Sequence, residues 1–260
     1  MGNFRYSFVI PFYKGEFFIQ KFKTLLETSD KFSRCNFYLV DDSGTKENFK
    51  LFENIVTKFP NVQYHALNQN MGQHYASALG IKEASGDILI TLDQDFIPYL
   101  DKIYDEVINQ VPHKKEIIYS VLEKRKRNFL RMLPSKIILF VIQIFGRTNL
   151  KGIYSIRILN KVDVKDIKLS PHIILDLEIL KSGFSIKYLQ SEIKLKEMSS
   201  SYSFFKLFLV FLNISTFYSR LFEISFIISI ILIPFNINIS LASLLFSLPL
   251  IYKWWIQKTL

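Results

Sequence analysis

The chain has 260 residues, enough for one large domain or one domain with an appendage. Its apolar fraction of 49% is high for a fully soluble protein, and its net charge of +10 is concentrated in clusters such as Lys124-Arg125-Lys126-Arg127. No nucleic-acid motif accompanies those cations, so a membrane surface or a phosphorylated substrate is favoured over nucleic acid, and a single cysteine, Cys35, excludes an internal disulfide.

Residues 6–10 read as a buried strand stopped by Pro11, the first strand of a fold rather than a signal peptide. A helix is predicted over 16–26. Cys35 then precedes a second strand at 37–40 and reads as a core thiol. That strand ends at Asp41-Asp42-Ser43-Gly44. Apolar positions Phe49, Phe52, Ile55, Val56 and Phe59 mark the next helix, which Pro60 ends. A strand at 62–66, a turn at Asn70-Met71-Gly72 and a helix carrying Ala76, Leu79, Gly80 and Ala84 follow. The apolar run 88–92 is a fourth strand, and it runs into Asp93 and Asp95. Strands alternating with helices predict an α/β fold with a mainly parallel sheet and helices on both faces. In such a sheet Pro11–Tyr13, Asp41–Ser43 and Asp93–Asp95 fall along one edge.

Residues 117–122, 153–159 and 186–189 read as further strands. The segment 128–145 begins basic and ends apolar, and is expected to lie in a membrane interface. From 204 to 216 a juxtamembrane amphipathic helix is expected. Two apolar runs at 217–235 and 239–252, broken by Asn236-Ile237-Asn238, predict a transmembrane hairpin. Lys253, Lys258 and the basic α/β domain then face the cytoplasm, with Trp254 and Trp255 at the headgroups. The expected organisation is an α/β domain at 1–203, the helix at 204–216 and the hairpin with a short tail at 217–260.

Two carboxylates held at a strand end repel one another unless a cation or hydrogen bonds compensate. A hard divalent metal carrying a substrate phosphate does so for Asp93 and Asp95; the alternative is a polar strand end capping the next helix. Asp41 and Asp42 read either as ligands or as an Asx turn. Asp176 and Glu178 read as candidate bases or as acids at a helix start. His65, His74, His113 and His172 lack the paired spacing of a metal site.

Taken in order, these motifs resemble the family 2 glycosyltransferases of the GT-A fold, over about 6–221. Ile10-Pro11-Phe12-Tyr13 resembles the family's opening strand end, with Lys14-Gly15 in place of its Asn-Glu and Glu16 as the nearest acid. Val40-Asp41-Asp42-Ser43 is similar to the Val-Asp-Asp signature. Asn70-Met71-Gly72-Gln73-His74 resembles the Asn-x-Gly-Gln-His turn, and Asp93-Gln94-Asp95 the Asp-x-Asp metal site. Within the family the chain is most similar to polyprenyl-phosphate glycosyltransferases, such as dolichyl-phosphate mannose synthase and the bactoprenol glucosyltransferases. Ser155-Ile156-Arg157-Ile158-Leu159-Asn160-Lys161 resembles their Asp-Phe-Arg-Leu-Leu-Asp-Arg strand, with Ser155 in place of Asp. Lys196 to Ser203 resembles their Arg-x-x-Gly-x-Ser-Lys-Tyr-Ser segment.

The resemblance implies metal-dependent, inverting transfer of a sugar from a nucleotide diphosphate. It implies Mg²⁺ or Mn²⁺ on Asp95, with Asp93 contacting ribose or a metal-bound water. It places the nucleotide against Asp42, Asp41, Gln73, Glu16, Pro11 and Tyr13. With a polyprenyl-phosphate acceptor, Arg131, Arg157, Lys196 and Ser201 are the phosphate partners. With a hydroxyl of a growing glycan as acceptor, Asp176 is the base. A homo-oligomer is compatible with either, and a non-catalytic membrane partner is the alternative of another class.

Overall fold

The computed structural model describes residues 5–45, 47–123, 150–152, 154–171 and 173–194, with Leu139 and Gln143. The chain divides into two compact units. One comprises 1–125 and 154–197, and the other 126–153 and 198–260. In the second, Gln143 Nε2 donates to the Leu150 carbonyl at 2.7 Å. The expected hairpin at 217–260, the helix at 204–216 and most of 128–145 lie outside the described residues. Among those described, no helix is long and apolar enough to cross a membrane.

The first unit is built on a seven-stranded sheet in the order β3-β2-β1-β4-β6-β5-β7. Its strands are β1 (Tyr6–Phe12), β2 (Cys35–Asp41), β3 (Val62–Ala66), β4 (Ile88–Thr91), β5 (Glu116–Glu123), β6 (Ile156–Asn160) and β7 (Ser185–Lys194). Only β6 runs against its neighbours β4 and β5; the other pairings are parallel. The expected mainly parallel α/β sheet is therefore present. The helices are α1 (Glu16–Thr28), α2 (Glu47–Lys58), α3 (Gln73–Glu83), α4 (Leu100–Val107) and α5 (Leu175–Lys181).

The side-chain alternation of β1 and β2 divides the core. Phe8, Ile10 and Phe12 pack on one face with Phe18 and Phe22 of α1, Phe52 of α2 and Phe37 of β2. Rings there meet at 5.0 Å for Phe12–Phe52, 5.1 Å for Phe12–Phe18 and 5.4 Å for Phe8–Phe37. Val9 faces the other side, where α3 lies close through Gly80. Cys35 is fully buried, and burial pushes its thiol up to about 12, which fits a core thiol rather than a nucleophile.

Pro11 does not stop β1, as its sequence position predicts; the strand continues to Phe12. Val9 O accepts from Leu92 N and Phe12 O from Asp42 N, so odd positions face β4 and even ones face β2. The ladder to β4 has ended by Val9–Thr91. The N–H that Pro11 lacks thus points where no strand partner remains, and proline costs nothing in pairing there.

A methyl group placed on Gly80 would lie 2.4 Å from Val9 Cγ1 and 3.1 Å from Val40 Cγ2. Alanine in a helix interior ordinarily gains about 1 kcal/mol over glycine. Here overpacking, about 1–3 kcal/mol, is the larger effect. Gly80→Ala is therefore expected to lower the urea midpoint of the full chain; a raised midpoint would show that α3 shifts freely on the sheet.

Candidate functional site

From β1 the chain builds outward to β2 and β3, then crosses to β4 on the opposite side. That reversal leaves a crevice beyond the carboxyl ends of β1 and β4, where open α/β sheets bind ligands. The expected motifs lie on its two lips: Tyr13, Asp41 and Asp42 on one, Asp93 and Asp95 on the other.

Asp41 is fully buried and its carboxylate faces inward. Oδ1 accepts from Ser43 N at 2.9 Å and Asn48 Nδ2 at 3.1 Å, and Oδ2 from the Tyr64 hydroxyl at 2.5 Å. The bond to Ser43 is the Asx turn the sequence allowed. Asp42 turns the other way. Its Oδ1 accepts from the backbone N–H of Met71 at 2.7 Å and of Gly72 at 3.1 Å, while Asn70 Nδ2 donates to its carbonyl at 2.9 Å. Gly72 has φ +88° and ψ 152°, a conformation open essentially to glycine alone. The Asn-Met-Gly turn is therefore the clamp for Asp42. No hydrogen bond among the described residues reaches Asp42 Oδ2. Burial raises the Asp42 carboxyl to about 6, and the Asp41 charge adds to the rise against the lowering pull of the two N–H donors.

β4 ends at Thr91, so Asp93 and Asp95 follow turn geometry, with Asp95 exposed in the 3-10 turn Gln94–Tyr99. Continuing the antiparallel register from Thr91–Arg157, Asp93 comes level with Ser155. Burial raises the Asp93 carboxyl, and Asp95 adds to that. Arg157, the Ser155 hydroxyl and the Gln73 side chain all favour its charged form. Among the described residues no group of three or more His, Cys, Asp and Glu side chains encloses a cation. An exposed carboxylate beside a second one suits a hard cation that takes its remaining oxygens from substrate and water.

Arg157 and Asp176 are placed differently from the roles expected of them. They pair with each other: Nε to Oδ1 at 2.6 Å and Nη2 to Oδ2 at 2.7 Å, with side chains 5% and 3% exposed. The Tyr119 hydroxyl donates to Asp176 Oδ1 at 2.8 Å. Burial acts to raise the Asp176 carboxyl. Arg157, His74 and the Tyr119 donor outweigh it and hold the carboxyl below the usual range. A buried carboxylate with a lowered pKa and both oxygens engaged is a poor general base. The guanidinium likewise serves Asp176 and Asp93 rather than standing open to a lipid phosphate. His74 lies in the same electrostatic cluster; burial lowers its imidazole, opposed by Asp176 and aided by Arg157.

Pro11 is buried within β1, Gln73 opens α3 beside Asp93, and Glu16 is exposed on the first turn of α1. Arg131, Lys196 and Ser201 lie outside the described residues. The departure at Gly15 has a packing cause: a Cβ there would meet Phe52 Cε2 at 2.7 Å. Sequence reasoning missed Asn48, Tyr64, Gln94 and Tyr119, each of which holds a motif residue from a distance. Gln94 lay inside the Asp-x-Asp motif, and its polar middle position was the available signal.

Removing one partner of a buried pair leaves an uncompensated charge, a loss of about 3–5 kcal/mol. Arg157→Met is expected to destabilise by that amount, and the double variant Arg157→Met/Asp176→Leu to recover most of it in urea unfolding. Because the folded Asp176 carboxyl lies below its unfolded value, its contribution is present above about pH 4 and lost on further acidification. An Arg157→Met chain as stable as wild type would mean that water reaches the pair.

Two curated relatives match about half of this chain. The undecaprenyl-phosphate 4-deoxy-4-formamido-L-arabinose transferase of Pseudomonas fluorescens is 30% identical over 141 residues, 53% of this chain. Its namesake from Proteus mirabilis is 33% identical over 142 residues, 51% of this chain. The chain spans 41% of the length of each. Among solved structures, glucosyl-3-phosphoglycerate synthase from Mycobacterium tuberculosis, in complex with Mn²⁺, UDP and phosphoglyceric acid, superposes with a TM-score of 0.54 at 10% identity. That match covers 82% of this chain and 78% of the other, and it concerns the fold alone. The sequence model of glycosyl transferase family 2 matches residues 7–176, from inside β1 to the carboxylate that Arg157 clamps. A match of that extent makes the chain a member of glycosyl transferase family 2.

Proposed function

We propose that the protein is a divalent-metal-dependent, inverting glycosyltransferase. It moves a sugar from a nucleoside diphosphate to a polyprenyl phosphate at a membrane. The observation that carries this is the pair of lips at the β1–β4 crevice, with Asp42 on one and Asp93 with Asp95 on the other. Names of the relatives, which specify undecaprenyl phosphate, support the acceptor class.

Asp42 Oδ2 is the acceptor for a nucleobase N–H, with the exposed Tyr13 ring beside it. Asp95 and Asp93 would hold Mg²⁺ or Mn²⁺, which offsets the charge that the leaving diphosphate gains. Burial raises the Asp93 carboxyl, and Arg157, Ser155 and Gln73 favour its charged form against that burial. An acceptor phosphate is already anionic and needs no strong base, whereas a glycan hydroxyl does. The engagement of Asp176 with Arg157 therefore favours the lipid phosphate over a glycan hydroxyl. Arg131, Lys196 and Ser201 are the assigned partners of that phosphate. The apolar runs within 217–260 supply the membrane attachment, with the catalytic domain on the cytoplasmic side.

The test is a donor screen on the full chain in detergent, with radiolabelled UDP-, GDP- and dTDP-sugars, Mn²⁺ or Mg²⁺, and a short polyprenyl phosphate. Label is expected in the organic phase, and Asp95→Ala is expected to reduce transfer about 100-fold or more while the protein stays folded. Transfer that ignores both the metal and Asp95 would sink the proposal. Because the Asp42 carboxyl takes up a proton near pH 6, nucleotide-sugar affinity is expected to fall as pH drops below about 6. Asp42→Asn should flatten that profile. A nucleotide sugar is the probe of choice, since the terminal phosphate of a nucleoside diphosphate itself titrates at about 6.

A further inference from the structure

The two lips of the crevice have lost their backbone connection. The last ladder bond between β1 and β4 is Leu92 N to Val9 O, at 3.1 Å. Beyond it, one side chain crosses the gap. Gln94, the middle residue of Asp93-Gln94-Asp95, turns its Oε1 to accept from Tyr13 N at 3.0 Å. The other side of the same residue is held as well, because Asn48 Nδ2 donates to the Tyr13 carbonyl at 3.3 Å. Asn48 Nδ2 also reaches Asp41 Oδ1 at 3.1 Å. A hydrogen-bonded strap thus runs from the Asp93–Asp95 turn through Gln94, Tyr13 and Asn48 to Asp41, next to Asp42. Tyr13 sits at its centre with 51% of its surface exposed.

No other hydrogen bond among the described residues joins these two segments, which also share the apolar cluster of Phe12, Phe96 and Ile97. Tyr13 follows the end of β1, and Gln94 stands three residues past Thr91, the last residue of β4. Neither Tyr13 nor Gln94 is itself paired in the sheet, so the hydrogen bond between them is the polar link from one lip to the other. A cation held by Asp93 and Asp95 would act on the short turn that contains Gln94. That turn is tied to the Tyr13 amide.

We propose that Gln94 is a positioning residue that couples the two lips. Occupancy of the carboxylate lip by a divalent cation sets the position of Tyr13, and so prepares the opposite lip for the nucleobase. The inference rests on the donor-site reading above, and adds the residue through which the metal half and the base half communicate.

The experiment uses the full chain in detergent with isotope-labelled tyrosine, the Tyr13 amide resonance being identified by its absence in Tyr13→Phe. In the wild type, Mg²⁺ alone is expected to shift the Tyr13 amide. Gln94→Leu keeps the bulk and removes the acceptor, so the amide should no longer respond although Mg²⁺ still binds. Gln94→Glu keeps an acceptor oxygen and should retain the response. The factor by which Mg²⁺ strengthens UDP binding, measured calorimetrically, should shrink about three- to tenfold in Gln94→Leu, the worth of one net hydrogen bond. An unchanged Mg²⁺ response at Tyr13 in Gln94→Leu overturns the coupling. So does a wild-type Tyr13 amide that ignores Mg²⁺, and the donor-site reading survives that result if UDP binding still requires Mg²⁺ and Asp95. Failure of the wild type to bind UDP, GDP or dTDP with Mg²⁺ defeats the donor-site reading itself, and the coupling with it.

Discussion

Carboxylates held at one edge of the sheet are the constraint around which this unit is organised. An ionised carboxylate removed from water is costly unless donors or a cation surround it. The chain answers differently at each position. Asp41 receives three neutral donors, from Ser43, Asn48 and Tyr64. Asp42 receives two backbone N–H groups and keeps a raised pKa. Asp176 takes the Arg157 fork, and the same guanidinium favours the charge on Asp93. Asp95 alone among these is exposed to solvent. The group left accessible is thus the one best suited to meet a cation from solution.

Topology decides why these groups meet at all. β1 sits at the reversal of strand order, so its two neighbours deliver their loops to opposite sides of one crevice. The antiparallel insertion of β6 brings the start of that strand, rather than its end, to the same edge. Ser155 and Arg157 therefore arrive beside Asp93 although they are far away in sequence. Gly80, pressed against Val9, lets α3 come close enough for Gln73 and His74 to enter the same cluster.

Two departures from the family pattern acquire local reasons. At Gly15 the Phe52 ring occupies the space a side chain would need, so α2 packs where the family's acid would begin. At Ser155 a hydroxyl donates toward Asp93, where a third carboxylate would add repulsion beside Asp93 and Asp95. Among the described residues a single guanidinium balances Asp93 and Asp176, and neutral donors carry much of the remaining compensation.

The alternation of apolar runs with amphipathic segments was enough to determine the strands, helices α1 to α3 and the mainly parallel sheet, because burial of one face imposes its period on the sequence; the helix at Leu100–Val107 was not anticipated. The Val-Asp-Asp and Asp-x-Asp motifs were legible for the same kind of reason: adjacent carboxylates at strand ends are costly enough to need a purpose. Three things were decided by tertiary structure alone. Pro11 could stay inside β1 only because β4 stops short of it. Asp176 became the counter-ion of Arg157 because β6 and α5 bring them within hydrogen-bond reach across 19 positions of sequence. Gln94 and Asn48 gained their roles from partners 81 and 35 residues away. A motif records which side chains a local turn must carry; which of them stay open to a ligand is set by neighbours that no local pattern encodes.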